Sequence, residues 1–175
     1  MSVFGGKIGV NGMVSTINKV PTFDLDLCLS AVDISQAFSM LNTLKSIAPI
    51  ADVINGKMNS TISLNGFLTQ DMIPDVKSIS GDLMGNILKG SLNKNKSALL
   101  TELDAKATFL DLKDINLKDV KAVLSFKNGK VAVKPIDLTY QDINITVGGT
   151  HGFDQTMNYD VQFDVPAKYL GTEVT

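Results

Sequence analysis

Arginine is absent from this 175-residue chain, whose 16 basic groups are all lysines. The chain therefore lacks the rigid planar fork that grips phosphate, carboxylate or guanine bidentately. Against 18 acidic groups the net charge is −2. Charge so weak and dispersed does not draw in a polyanion by counterion release, which excludes nucleic acid as a partner. A single cysteine, Cys28, leaves no intrachain disulfide and no pairing from which to read a redox compartment. Long apolar runs are missing too: nothing approaches the roughly 18 to 20 continuous residues that span a bilayer. Met1-Ser2 leads straight into Val3-Phe4-Gly5, without the basic and apolar regions of a signal peptide. The chain reads as soluble by itself and as a fragment of a longer protein.

What is present describes a folded chain. Hydrophobic residues make up 44% and charged residues 19%, which is far from the composition of disorder. A chain of this size buries roughly two-thirds of its unfolded surface, enough for one domain over residues 1–175.

The dominant signal is alternation with period two, which sends every second side chain to one face of a strand. In Thr22–Ser30, Phe23, Leu25, Leu27 and Leu29 oppose Asp24, Asp26, Cys28 and Ser30. In Lys57–Leu64, Met58, Ser60, Ile62 and Leu64 oppose Lys57, Asn59, Thr61 and Ser63. Met157, Tyr159, Val161, Phe163 and Val165 oppose Asn158, Asp160, Gln162 and Asp164. Asn128-Gly129 tolerates the positive φ of a type I′ turn and predicts a hairpin between Val120–Lys127 and Lys130–Lys134. Pro135 is expected to end that arm, with Ile136–Tyr140 and Ile143–Val147 resuming the alternation. Glycines within or beside these strands predict bulges and strong curvature.

Two segments carry helical spacing instead. After Asp33, an N-cap with Gln36 three residues on, Ile34, Ala37, Phe38, Leu41, Leu44, Ile47 and Ala48 repeat at helical intervals up to Pro49. Ile50, Val53 and Ile54 suggest a short further turn, and a weaker helical pattern runs from Ser97 through Leu110. The expected fold is α+β but mainly β: a curved antiparallel sheet, groove-like or partial-barrel-like, with one or two amphipathic helices packed on it.

Reactive chemistry is hard to assemble from these residues. His151, the only histidine, sits in Gly148-Gly149-Thr150-His151-Gly152 and reads as a surface turn residue without a nucleophile or co-ligands. Cys28 shares its strand face with Asp24 and Asp26, which oppose thiolate formation, so it reads as inert. Gly85–Ser91 has its lysine before the second glycine, unlike a phosphate loop, and reads as a glycine-bearing strand. The pairs Asp24/Asp26 and Asp160/Asp164 fall on solvated strand positions, and no calcium-loop spacing surrounds them or Asp111/Asp114. No catalytic residue, metal site or cofactor is expected.

What remains is an extended apolar surface built from Leu25, Leu27, Leu29, Ile62, Leu64, Val133, Ile145, Val147, Val161 and Phe163. One reading makes it a core covered by the helices, as in any half-buried antiparallel sheet. The other leaves part of it open as a groove for acyl chains, since lipid sites are concave and mostly apolar.

The order of the pieces carries a resemblance. The run Thr22–Gly66, with Ser30-Ala31-Val32-Asp33-Ile34 ahead of the helix and Leu64-Asn65-Gly66 closing the return strand, resembles the C-terminal region of the AsmA family. So does Val120–Pro166, with Leu124–Val131, Ile143–Gly149 and Tyr159–Pro166 similar to that family's closing hairpins. The resemblance implies a protein held in the inner membrane of a Gram-negative-type cell by an N-terminal helix, missing here, with its bulk in the periplasm. It also implies a β-sheet groove that conducts phospholipid between membranes and supports outer-membrane biogenesis, as in the related TamB. It supplies no catalytic motif and no individual lipid contact. The expected function is therefore non-catalytic, with phospholipid or another acyl chain as ligand. The rival expectation is a scaffold or cap that binds other envelope proteins through an open strand edge; a hydrolase is disfavoured.

Overall fold

The structure, a computed structural model, describes residues 2–40, 53–93, 101, 111, 115–154 and 156–169. It is mainly β, one curved and unclosed antiparallel sheet. Among the described residues nine strands follow each other in chain order: β1 (Ser2–Val3), β2 (Gly6–Ser15), β3 (Thr22–Asp33), β4 (Ile54–Phe67), β5 (Ser80–Leu92), β6 (Val120–Lys127), β7 (Lys130–Tyr140), β8 (Ile143–Gly152) and β9 (Met157–Asp164). Every neighbouring pair is antiparallel, so the sheet is a continuous meander.

The turns follow from local backbone chemistry. Asn128 and Gly129 take φ of 53° and 70°, and Lys127 pairs with Lys130 across them, as a two-residue type I′ hairpin requires. Phe4 and Gly5 do the same between β1 and β2.

Three bulges let the strands keep one dry face although the sequence alternation slips. Between Leu29 and Val32, strand β3 spends two residues against one on β4. Ala31 takes a positive φ there, and its N–H donates to the Asn59 side chain at 2.8 Å. The odd insertion returns Val32 to the same face as Leu29, where it is wholly buried. A second bulge places Leu88 as the extra residue on β5 between Ile87 and Lys89. The third lies between Val133 and Ile136. Pro135 therefore does not end the arm, as its missing N–H suggested; it is absorbed in a bulge, and β7 runs through it to Tyr140.

Helix α1 (Ile34–Met40) begins where the spacing predicts, and Asp33 caps it by accepting from the Gln36 N–H at 2.8 Å. The rest of that predicted helix, and the one over Ser97–Leu110 apart from Thr101, lie outside the described residues. Of the suggested further turn, Val53 is buried and Ile54 opens β4. Ile34, Ala37, Val53, Ile115 and Leu117 join Val32, Met58, Ile87 and Val120 in a single hydrophobic cluster, which closes the dry face at that end.

Candidate apolar binding face

Strand register sorts the apolar side chains into rows that cross the sheet. One row runs Val10, Leu27, Ile62, Leu83, Leu124, Val133, each directly opposite the next. It continues to Gly149 and Tyr159. A second row on the β7–β9 side runs Leu138, Ile145, Phe163, and a third Ile136, Val147, Val161. Directly opposed side chains in an antiparallel pair point the same way, so these rows make one surface.

All ten residues expected on the apolar surface lie on this face, but they divide by burial. Leu29, Ile62, Val133 and Ile145 are buried in the core cluster and present nothing to a ligand. Leu25, Leu27, Leu64, Val147 and Phe163 are half-buried at its margins. Val161 on β9 is 41% exposed. At the other flank Val10 is 66% exposed, and Val14 is open as well. The centre of the face is thus core and its two flanks are open, a division between the two readings posed by the sequence. Val10 and Val14 belong to one open flank and escape the sequence reading, while Met157, whose alternation the sequence does show, is exposed at the other. Glycines interrupt β2, which hides the shared parity of Ile8, Val10 and Val14.

The opposite face is wet and organised by cross-strand pairs. Ser63 donates to Asp26 and Ser125 donates to Asp82, both at 2.6 Å, while Thr146 donates to Asp137 at 2.8 Å. Asp24, Asp26, Asp160 and Asp164 are exposed there, as their alternation predicts. Exposed Cys28 lies on the same side. An open depression of about 490 Å³ lies where β6 and β7 part, lined by Lys118, Lys121, Lys134, Asp119 and Asp137 among others.

His151 corrects the sequence reading. It is not a surface turn residue: it lies within β8, is 3% exposed and sits across from Val131. Its Nδ1 shares a 2.8 Å hydrogen bond with the Tyr159 hydroxyl, and the two rings lie nearly parallel at 6.1 Å. Burial pushes the Tyr159 phenol above its ordinary value, so it stays protonated and able to hydrogen-bond. The surrounding glycines mark close backbone approach rather than a turn: a Cβ on Gly149 would sit 2.2 Å from the Asn158 carbonyl oxygen.

Among the described residues, no group of three His, Cys, Asp or Glu is placed to hold a metal ion. No described helix is long and apolar enough to cross a membrane, which leaves strand-based spanning untouched. Fold and site together define a class: an open antiparallel meander with one apolar and one polar face. No family model matches the chain, and comparison with curated proteins and with solved structures finds no match.

Proposed function

We propose that this is a non-catalytic lipid-handling domain of a cell-envelope protein of the AsmA type. On this reading it works in the periplasm, tethered to the inner membrane by a part of the longer protein, and serves outer-membrane biogenesis by passing phospholipid along an apolar β-surface. The observation that carries the reading is the row from Val10 to Val133, which is closed in the central strands and opens toward β2, with Val161 open at the far flank. Acyl chains bind to apolar surface that is preformed and concave. The open flanks of the curved sheet offer preformed apolar surface at no cost in core packing. The His151–Tyr159 hydrogen bond supports a non-catalytic role, because it engages Nδ1 of the single histidine, the group that would serve as base in a nucleophilic mechanism.

The test is organic extraction of the purified protein followed by mass spectrometry, with Val10→Asp and Val161→Asp as variants on the two flanks. Wild type is expected to carry acyl lipid above a control protein, and each variant to lose it while keeping its far-ultraviolet β spectrum. Lipid at background in the wild type would count heavily against the reading.

A second reading, a scaffold that binds another envelope protein, is favoured by the outer edge of β2, which among the described residues is paired on that side only at Gly6 and Lys7. Photo-crosslinkers at Asn11 and Met13 discriminate, because a scaffold traps protein there and a conduit traps lipid on the flanks.

A further inference from the structure

Because successive strands run antiparallel, the loops after β2, β4, β6 and β8 all leave the sheet at the same end. Two of them are polar. Asn128-Gly129 is flanked by exposed Lys127 and Lys130, and exposed Asp154 lies in the β8–β9 loop. The other two carry large apolar side chains aimed into solvent: Ile17, which is 93% exposed, with Val20 after β2, and Met72 and Ile73 after Phe67 at the end of β4. These two loops are joined. Thr22 pairs with Phe67, and the Leu68 N–H donates to the Pro21 carbonyl at 2.8 Å.

We infer that this end of the sheet is a membrane-docking tip, which inserts Ile17, Val20, Phe67, Met72 and Ile73 into the outer layer of a phospholipid bilayer. Large apolar side chains exposed together at one end of a sheet mark an interaction site. Entry into lipid costs less where backbone amides arrive already paired. The β4–β5 loop pairs part of its backbone internally. The Thr69 N–H donates to the Ile73 carbonyl at 2.8 Å, the Met72 N–H to the Thr69 carbonyl at 3.0 Å, and the Asp75 N–H to the Phe67 carbonyl at 2.9 Å. Buried Leu68 and Ile79 anchor the two ends of that loop in the core, so its tip is presented by a fixed stem.

The polar residues fit the same partner. Lys19 and Lys77 are exposed beside the apolar groups, where their stems can lie along lipid with the ammonium at headgroup level. Asp71 and Asp75 offset them in charge. Insertion is therefore driven by apolar area, with little dependence on salt. A protein partner fits less well, because the side chains project separately from two loops instead of forming a flat face. Docking of this kind goes beyond the lipid-handling reading, since it can hold or fail whatever the dry face binds.

The chain contains no tryptophan, so single Ile17→Trp and Ile73→Trp variants report on the tip without background. Asn144→Trp, at an exposed position near the opposite end of β8, is the control. Each is mixed with phosphatidylcholine vesicles and with vesicles containing one-quarter phosphatidylglycerol, with and without brominated acyl chains. The tip variants are expected to shift to the blue and to be quenched by bromine, and Asn144→Trp to do neither. An Ile17→Asp/Ile73→Asp double variant is expected to partition at least about tenfold more weakly in vesicle sedimentation, from the apolar area lost, with its β spectrum unchanged. Raising the salt is expected to alter wild-type partitioning less than about twofold. The inference is overturned if the tip variants show no shift, or if Asn144→Trp is quenched equally. It is also overturned by a shift that grows with protein concentration without vesicles, which assigns the tip to a second copy of the chain.

Discussion

Ile143 and Val10 sit on the same apolar face, yet substitution acts on them in opposite regimes. Ile143 is wholly buried, so Ile143→Ala is expected to cost about 2 to 5 kcal/mol. Urea unfolding checks this as a lowered midpoint at unchanged slope. Val10→Ala, at an open flank, is expected to stay within about 0.5 kcal/mol of wild type in the same assay. Glycines divide by the same logic. Gly81 has φ 145°, and a Cβ there would lie 2.0 Å from the Ser63 carbonyl oxygen, whereas a Cβ on Gly85 meets nothing nearer than 3.6 Å. Gly81→Ala is expected to unfold the protein or lower its melting temperature sharply, and Gly85→Ala to leave it nearly unchanged. At this scale the sequence told strand face well and burial poorly. The apolar parity of Leu25, Leu27 and Leu29 was plain, but only Leu29 lies in the core. His151 was misread because its glycine neighbours look identical whether they make a turn or admit a neighbouring strand.

Strands were legible as elements wherever the alternation was unbroken, and the bulges within them were not. The shift of apolar parity from Val131 and Val133 to Ile136 and Leu138 reads in sequence as an ended strand. In space it is one extra residue on β7, placed where β8 presents Gly148, whose added Cβ would crowd Pro135 at 3.2 Å. The stop-gap after β9 is another local device: a 3₁₀ turn, Ala167–Tyr169, is tied to the β7–β8 turn. Lys168 meets Asp142 at 2.7 Å, and the Tyr169 hydroxyl donates to Asp142 at 2.7 Å and to Gln141 at 2.9 Å. The Lys168 hydrogen bond, then that of Tyr169, holds the Asp142 carboxyl below its ordinary 3.8. A carboxylate depressed on folding favours the tied state above its ordinary range, and loses that contribution as pH falls through the lowered value. The 3₁₀ turn is therefore expected to loosen below about pH 4 while the sheet persists. Proton NMR of the Tyr169 ring checks this, with Asp142→Asn as the variant already loosened at neutral pH. Because Lys168 and Asp142 form an exposed surface ion pair, the effect on global stability is expected to be small.

At the scale of the whole molecule, one meander whose two edges lack a further strand among the described residues makes stability a gradient. β4 and β5 are paired on both sides and carry Met58, Ile62, Leu83 and Ile87 in the core, while β2 and β9 each have a largely unpaired edge. Hydrogen exchange is expected to be slowest in β4 and β5 and fastest in β2 and β9, by at least about two orders of magnitude. Uniform protection would mean that both edges are covered in solution. What the sequence alone determined is the strand chemistry: a mainly β chain, one oily and one wet side per strand, the Asn128-Gly129 hairpin and the Asp33 cap, because each depends on neighbours within a few positions. What only the tertiary structure decided is which part of the oily side is core and which is surface, where the bulges restore its continuity, and that His151 is buried against Tyr159. Those depend on which strands lie opposite one another and on how the sheet curves, relations between residues tens of positions apart that local pattern does not encode.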